Sequence, residues 1–205
     1  CTQSCRWNYA LVEEKRPGTY LPVMEDERGL YLFNSKDLAL YRYVPALMHA
    51  GLAALKIEGR MKNAHYLAAV VSVYRRLMDG EELPDAEVLM LLSRVNNRGY
   101  SEGFMKGEID PDDYQRDFGG YFAESTLIAH TAEELRDGHR VCIVKNSLNA
   151  GETLELLTPD HRVRPYTLPD VLLTTKGEEL SVAQNHNVLL LPGDLPAYAI
   201  LRRVD

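Results

Sequence analysis

The stretch Leu55-Lys56-Ile57-Glu58-Gly59-Arg60-Met61-Lys62 decides how the first part of this chain is read. Apolar residues alternate at Ala53, Leu55 and Ile57 and predict a strand, while Lys56, Glu58 and Arg60 crowd its carboxyl end just before a helix-forming run. In an α/β barrel, side chains at the carboxyl ends of strands line the mouth where chemistry takes place. On a strand these three charged residues share one face and Ile57 takes the other. A second segment repeats the arrangement, with Leu30 to Phe33 as a strand and Asn34-Ser35-Lys36-Asp37 opening a helix. Two polar strand ends, about one βα unit apart, point to one site. The same residues also fit two ordinary helix N-caps and a surface ion pair, and spacing alone leaves both open.

Outward from this stretch, residues 6–34 read as short extended segments. Tyr9 to Val12 comes first, then the Arg16-Pro17-Gly18 turn, Tyr20 to Val23, an acidic turn from Glu25 to Gly29, and the strand from Leu30. A helix is expected after Ser35, and Pro45 suits the first turn of a second helical piece ending at Gly51. The clearest helix runs from Asn63 to Asp79, with Tyr66, Leu67, Val70, Tyr74, Leu77 and Met78 on its apolar face and Arg75 and Arg76 opposite. Pro84 to Val95 is another helix, and Arg98 to Gly107 is glycine-rich and aromatic, ahead of the acidic turn Asp110-Pro111-Asp112-Asp113. From about Gly119 the texture becomes seven short β-patterned runs separated by turn residues, the pattern of a small closed or nearly closed β-barrel. The expected fold is therefore α/β plus all-β. Residues 1–80 are expected to be the C-terminal part of a TIM-like barrel, 81–118 a helical and Gly/aromatic linker, and 119–205 a small β-barrel domain. Two βα units cannot close a barrel, so the front of the first domain is expected to lie outside this chain.

The totals narrow the function. The chain has 205 residues and a net charge of −7, but residues 1–80 hold 11 basic against 8 acidic residues and the remainder 12 against 22. An anionic substrate or nucleic acid is expected to meet the first segment. No apolar run is long enough to span a membrane. Three cysteines argue against a secreted disulfide framework. Cys142, inside Val141-Cys142-Ile143-Val144, reads as a buried core thiol. The chain starts at Cys1, which fits a piece of a longer protein; a lipoprotein start lacks the flexible tether that should follow.

Cys1 and Cys5 are spaced to reach one metal or cluster, but two ligands are not four. The radical-type iron–sulfur signature wants a third cysteine where Asn8 stands, so that class is not expected. The Lys56, Glu58, Arg60 group can hold a carboxylate or phosphate, with Glu58 as base or orienting partner, or can be a structural ion pair at a barrel mouth. His65, near the charged strand end, reads as a helix-surface residue rather than a general base. Trp7, Tyr9, Tyr20 and Tyr31 read as core aromatics before they read as base-stacking ones. No serine-hydrolase elbow, zinc-peptidase or phosphate-loop motif is present.

Taken together, Cys1 to Trp7, Arg16-Pro17-Gly18-Thr19-Tyr20, Glu25 to Gly29, Asn34-Ser35-Lys36-Asp37-Leu38 and Lys56-Ile57-Glu58-Gly59-Arg60 resemble motifs of the U32 peptidase family, the collagenase-like proteases. Arg98-Gly99-Tyr100 to Phe104 and the tail Leu195 to Arg203 extend the resemblance over nearly the whole chain. The resemblance implies a TIM-like barrel followed by a small β-barrel. It also implies iron–sulfur hydroxylation chemistry, closest in look to the branch that hydroxylates the tRNA wobble uridine with prephenate as co-substrate. Carried over, Cys1 and Cys5 become ligands of an iron–sulfur cluster, of the 4Fe-4S type, with the other ligands upstream; Ala39 stands where some relatives have a cysteine. Lys56, Glu58 and Arg60, with Asn34, Lys36 and Asp37 at the neighbouring strand end, become the catalytic group. Lys56 and Arg60 are then expected to hold prephenate or an RNA phosphate, with Glu58 orienting them. The implied partners are tRNA and a redox partner, in the cytoplasm and without a membrane. The competing readings are a true peptidase acting on protein substrates and a non-catalytic module binding RNA or a partner.

Overall fold

The computed structural model describes residues 9–12, 14–15, 17–18, 20–26, 29–31, 36–59, 62–108, 113 and 122–204. The chain divides into two compact units, Cys1–Leu40 with Asn97–Phe122 and Tyr41–Asn96 with Ala123–Asp205.

In the first unit, β1 (Ala10–Val12) and β2 (Tyr20–Pro22) form one antiparallel hairpin, and β3 (Met24–Asp26) and β4 (Gly29–Tyr31) form another. The acidic segment expected as a turn is partly ladder, because Glu25 and Asp26 pair with Leu30 and Gly29. Tyr9 and Tyr20 are exposed, not core. A two-stranded hairpin has two faces to cover, and alone it buries neither. Trp7, Phe33 and Ser35 lie outside the described residues. No helix opens at Lys36-Asp37. Instead β5 (Asp37–Leu38) pairs in parallel with β6 (Tyr100–Ser101). The Asp37 and Ala39 amides donate to the Gly99 and Ser101 carbonyls at 2.9 Å each, so the donors a helix would need are taken by a distant segment.

The second unit begins with a 3-10 turn at Tyr41–Tyr43 and α1 (Val44–His49), with Pro45 in the first turn as expected. Gly51, at φ +84°, turns the chain away just past the helix end. Residues 52–59 form no ladder, against the strand expected over Ala53 to Ile57. A strand exists only through a hydrogen-bonding neighbour, and none of the described residues pairs with this run. Next come α2 (Ala64–Met78) and α3 (Asp85–Ser93). Asn63 caps α2 by accepting from the Tyr66 amide at 2.9 Å. The buried stripe of α2 is His65, Ala69, Val70, Ser72 and Val73, which shares only Val70 with the expected row. Small residues permit close packing, whereas Tyr66 and Tyr74 are only half-buried and Leu67 is exposed. Arg76, expected to face solvent beside Arg75, is largely buried against Glu81 and Glu87. No helix among the described residues is long and apolar enough to cross a membrane.

The rest of this unit is β7 (Ser125–Arg136), β8 (His139–Val144), β9 (Leu148–Asn149), β10 (Thr153–Leu157), β11 (Val163–Thr167), β12 (Leu172–Thr174), β13 (Glu179–Leu180), β14 (Val182–Ala183), β15 (Val188–Pro192) and β16 (Ile200–Val204). All seven expected runs contain a strand. Eight strands join in one antiparallel sheet, in the order β11-β10-β16-β7-β8-β15-β12-β13, while β9 and β14 pair separately. Among the described residues no ladder joins β11 to β13, so of the closed or nearly closed barrel expected the closed form is not found. Both edges are poor pairing templates, because β11 contains Pro165 and β13 has two residues. Strands from across the sheet nevertheless bury one common core, including Ile128, Cys142, Leu156, Leu172, Leu189 and Leu201. Burial pushes the Cys142 thiol up to about 12, which suits the inert core role read from its sequence context. Fully buried Thr131 fastens β7 to the approach of β16: Oγ1 donates to the Pro196 carbonyl and accepts from the Ala199 amide, both at 2.7 Å.

On the other face of the sheet, Glu155 of β10 stands opposite Arg202 of β16. Arg202 is 1% exposed and donates through Nε to Glu155 at 2.9 Å. Arg94, at the end of α3, reaches the same carboxylate at 3.4 Å. His65 of α2, expected on a helix surface, is 4% exposed, because α2 turns this side of itself inward. Burial, with the Arg202 charge adding, lowers the His65 pKa to about 4. Burial also lowers the Arg202 pKa against the opposing pull of Glu155.

Two predictions follow from this layer. Glu155→Gln removes the charge facing a buried guanidinium and should cost about 3 kcal/mol in urea unfolding. His65 is neutral when folded and titrates near its usual 6.5 when unfolded, so its contribution is intact above pH 6.5 and is lost as pH falls toward 4. The loss should reach up to about 3 kcal/mol, and His65→Gln should flatten that part of the stability–pH curve.

Candidate functional site

The densest polar arrangement in the first unit forms where β5 meets β6. Arg98 donates to one Asp37 oxygen, Oδ1, through Nε at 3.0 Å and Nη2 at 2.7 Å. Asp37 Oδ2 is buried without a hydrogen-bond partner. One residue back, the Lys36 amide donates to the Asp113 carbonyl at 3.4 Å, and the Lys36 stem lies along Gly99. Gly99 sits at φ +77°, where a side chain would be strained, and its amide donates to Asn97 Oδ1 at 2.9 Å. The Ser101 hydroxyl, in turn, donates to Asp113 at 2.5 Å and accepts from the Gly103 amide at 2.9 Å. The backbone here is tied down by side chains from three separate stretches of sequence. Such bracing is what a positioned group requires.

Lys56 and Glu58 belong to the second unit. They face the same way, as their alternation implied, with Nζ and Oε2 4.0 Å apart. Both are open to water, at 88% and 74% exposure, so the pair contributes little to stability. Gly59, next in sequence, lies against Leu67 of α2; a Cβ there would come within 2.5 Å of a Leu67 methyl. Cys1, Cys5, Asn34 and Arg60 lie outside the described residues. Among the described residues no group of three or more His, Cys, Asp or Glu is placed to hold a metal ion.

Residues 1–115 match Peptidase family U32, and residues 127–202 match the Peptidase family U32 C-terminal domain. The chain belongs to peptidase family U32. It is 34% identical over 204 residues to tRNA hydroxylation protein P of Escherichia coli, covering 95% of this chain and 44% of that protein. Against tRNA hydroxylation protein P of Haemophilus influenzae the identity is 32% over 205 residues, with coverage of 95% and 44%. The collagenase of Porphyromonas gingivalis is 30% identical over 114 residues, covering 53% of this chain and 26% of that protein. The U32 chain thus spans a little under half the length of the two tRNA hydroxylation proteins. No solved structure matches it.

Sequence reasoning selected Lys36 and Asp37 but missed the residues that brace them. Arg98, Asn97, Gly99, Ser101 and Asp113 lie about sixty or more positions downstream, in a stretch whose glycines and aromatics suggested a linker. The one available signal was the Arg98-Gly99-Tyr100 motif, whose glycine marks a backbone position that must take positive φ. Arg98→Ala should loosen the β5–β6 ladder, so amide hydrogen exchange at Asp37 and Ala39 should accelerate at least tenfold, about 1.4 kcal/mol of local opening, while exchange in β7 and β8 stays unchanged.

Proposed function

We propose that this protein acts in tRNA modification as a hydroxylation enzyme, with the wobble uridine as target and prephenate as co-substrate. The observation that carries this reading is the extent of the likeness to the tRNA hydroxylation proteins. It runs over 95% of the chain and through both family domains, against 53% for the collagenase. The net positive charge of residues 1–80 favours an anionic partner at that end of the chain.

In this reading Cys1 and Cys5 are ligands of a 4Fe-4S cluster whose remaining ligands lie upstream. A bound cluster would supply one-electron chemistry, and a redox partner would feed it. Lys56 and Arg60 hold the carboxylates of prephenate or an RNA phosphate, and Glu58 orients them. Asn34, Lys36 and Asp37 contribute the second polar group, with Arg98 holding Asp37. The protein works where tRNA is, in the cytoplasm. A peptidase reading has the family name and the collagenase likeness behind it, and it predicts cleavage of protein without iron.

Nucleoside mass spectrometry tests the proposal. In tRNA from a strain lacking the gene, hydroxylated wobble uridine should return on complementation with wild type and stay absent with Cys1→Ala. Arg60→Ala should likewise abolish the product while its circular dichroism matches wild type. If wild type restores no hydroxylated uridine and the purified protein digests a peptide panel, the peptidase reading replaces this one.

A further inference from the structure

Around β5 and β6 several charged side chains are committed to partners. Arg98 is paired with Asp37 at 2.7 Å, and Asp113 accepts from Ser101 at 2.5 Å. Lys36 is half-buried, and among the described residues its ammonium has neither a hydrogen bond nor an ion pair. Its position is not left to chance. The Lys36 stem runs alongside Gly99, with its Cγ, Cδ and Cε 3.5–3.6 Å from where a Cβ would stand. Gly99 is in turn held in its left-handed conformation by the Asn97 side chain.

A lysine normally loses much side-chain entropy when it grips a ligand. Here part of that ordering is already present, because the stem is laid over a backbone that only glycine can form without strain. A packed stem carrying an uncommitted charge, next to a braced ion pair, is a preformed contact for an anion. The unit that holds it, Cys1–Leu40 with Asn97–Phe122, carries 8 basic against 12 acidic residues, so the attraction is that of the local ammonium and not of the unit's net charge.

We infer that Lys36, held along Gly99, contacts a backbone phosphate of the tRNA and so helps to seat the substrate. This rests on the tRNA reading above and assigns Lys36 to binding and positioning rather than to the reacting atoms. A lysine–phosphate contact is a point-charge interaction that carries no sequence information. Its signature is therefore salt dependence.

The test is equilibrium binding of the full-length protein to unmodified tRNA at several salt concentrations. Lys36→Met keeps most of the stem and removes the charge. It should weaken binding about three- to tenfold at low salt and reduce the slope of log K against log salt by about one. Lys36→Arg should restore the wild-type slope, and Lys36→Gln provides a second uncharged form should the methionine variant fold poorly. Lys176→Met, in an exposed turn of the other unit, should leave the slope unchanged. An unchanged slope in both uncharged Lys36 variants, or an equal change in Lys176→Met, overturns the inference. If the wild-type protein shows no salt-dependent binding to tRNA, the tRNA reading itself fails, and this inference with it.

Discussion

The buried pair between Glu155 and Arg202 is the constraint around which the second unit is organised. A guanidinium at 1% exposure must keep a counter-charge, because removing the partner leaves an ion in a medium that solvates it poorly. Glu155 meets it across the β10–β16 ladder, and Arg94 brings the end of α3 to the same carboxylate. The Ser125 hydroxyl donates to the Arg94 carbonyl at 2.7 Å, joining the start of β7 to that point. Helix α2 turns His65 inward, where burial and the Arg202 charge keep it neutral. The sheet packs its apolar core on one face and this ionic layer on the other, so β16 is buried on both sides at Ile200, Leu201 and Arg202.

The first unit follows a different logic. Its β1–β2 hairpin is short and exposes Leu11, Val12 and Tyr20, so little of that hairpin's order comes from burial. What holds Lys36 and Asp37 is polar: a forked arginine, an asparagine cap on Gly99, and a serine–aspartate contact. Such ties are directional, and they fix where side chains point more tightly than apolar packing does. That difference is why this region, rather than the better packed sheet, carries the candidate binding group.

Parts of this were legible in the residues. The seven β-patterned runs after residue 119 are strands because alternation and turn residues are local signals. Asn63 announced the start of α2, Pro45 the first turn of α1, and Cys142 its place in a core. The misses share a cause. In place of the helix expected after Ser35, Asp37–Leu38 is a strand, because the Asp37 and Ala39 amides are claimed by residues about sixty positions away. The strand expected at Leu55 forms no ladder because no described residue offers it a neighbour. On α2 the periodicity placed Val70 correctly, but the buried stripe lies to one side of the expected row, at His65, Ala69, Ser72 and Val73.

The sequence by itself determined family membership, the order of β-rich and helical segments, and the identity of the charged residues at Lys36, Asp37, Lys56, Glu58 and Arg60. Those depend on local patterns and motifs that need no partner to be read. Only the tertiary structure decided that Asp37 is gripped by Arg98, that Lys36 lies along Gly99, that His65 is buried beside Arg202, and that β10 pairs with β16. Each of these is a contact between residues far apart in the chain, and such contacts leave no periodic trace in the sequence that encodes them.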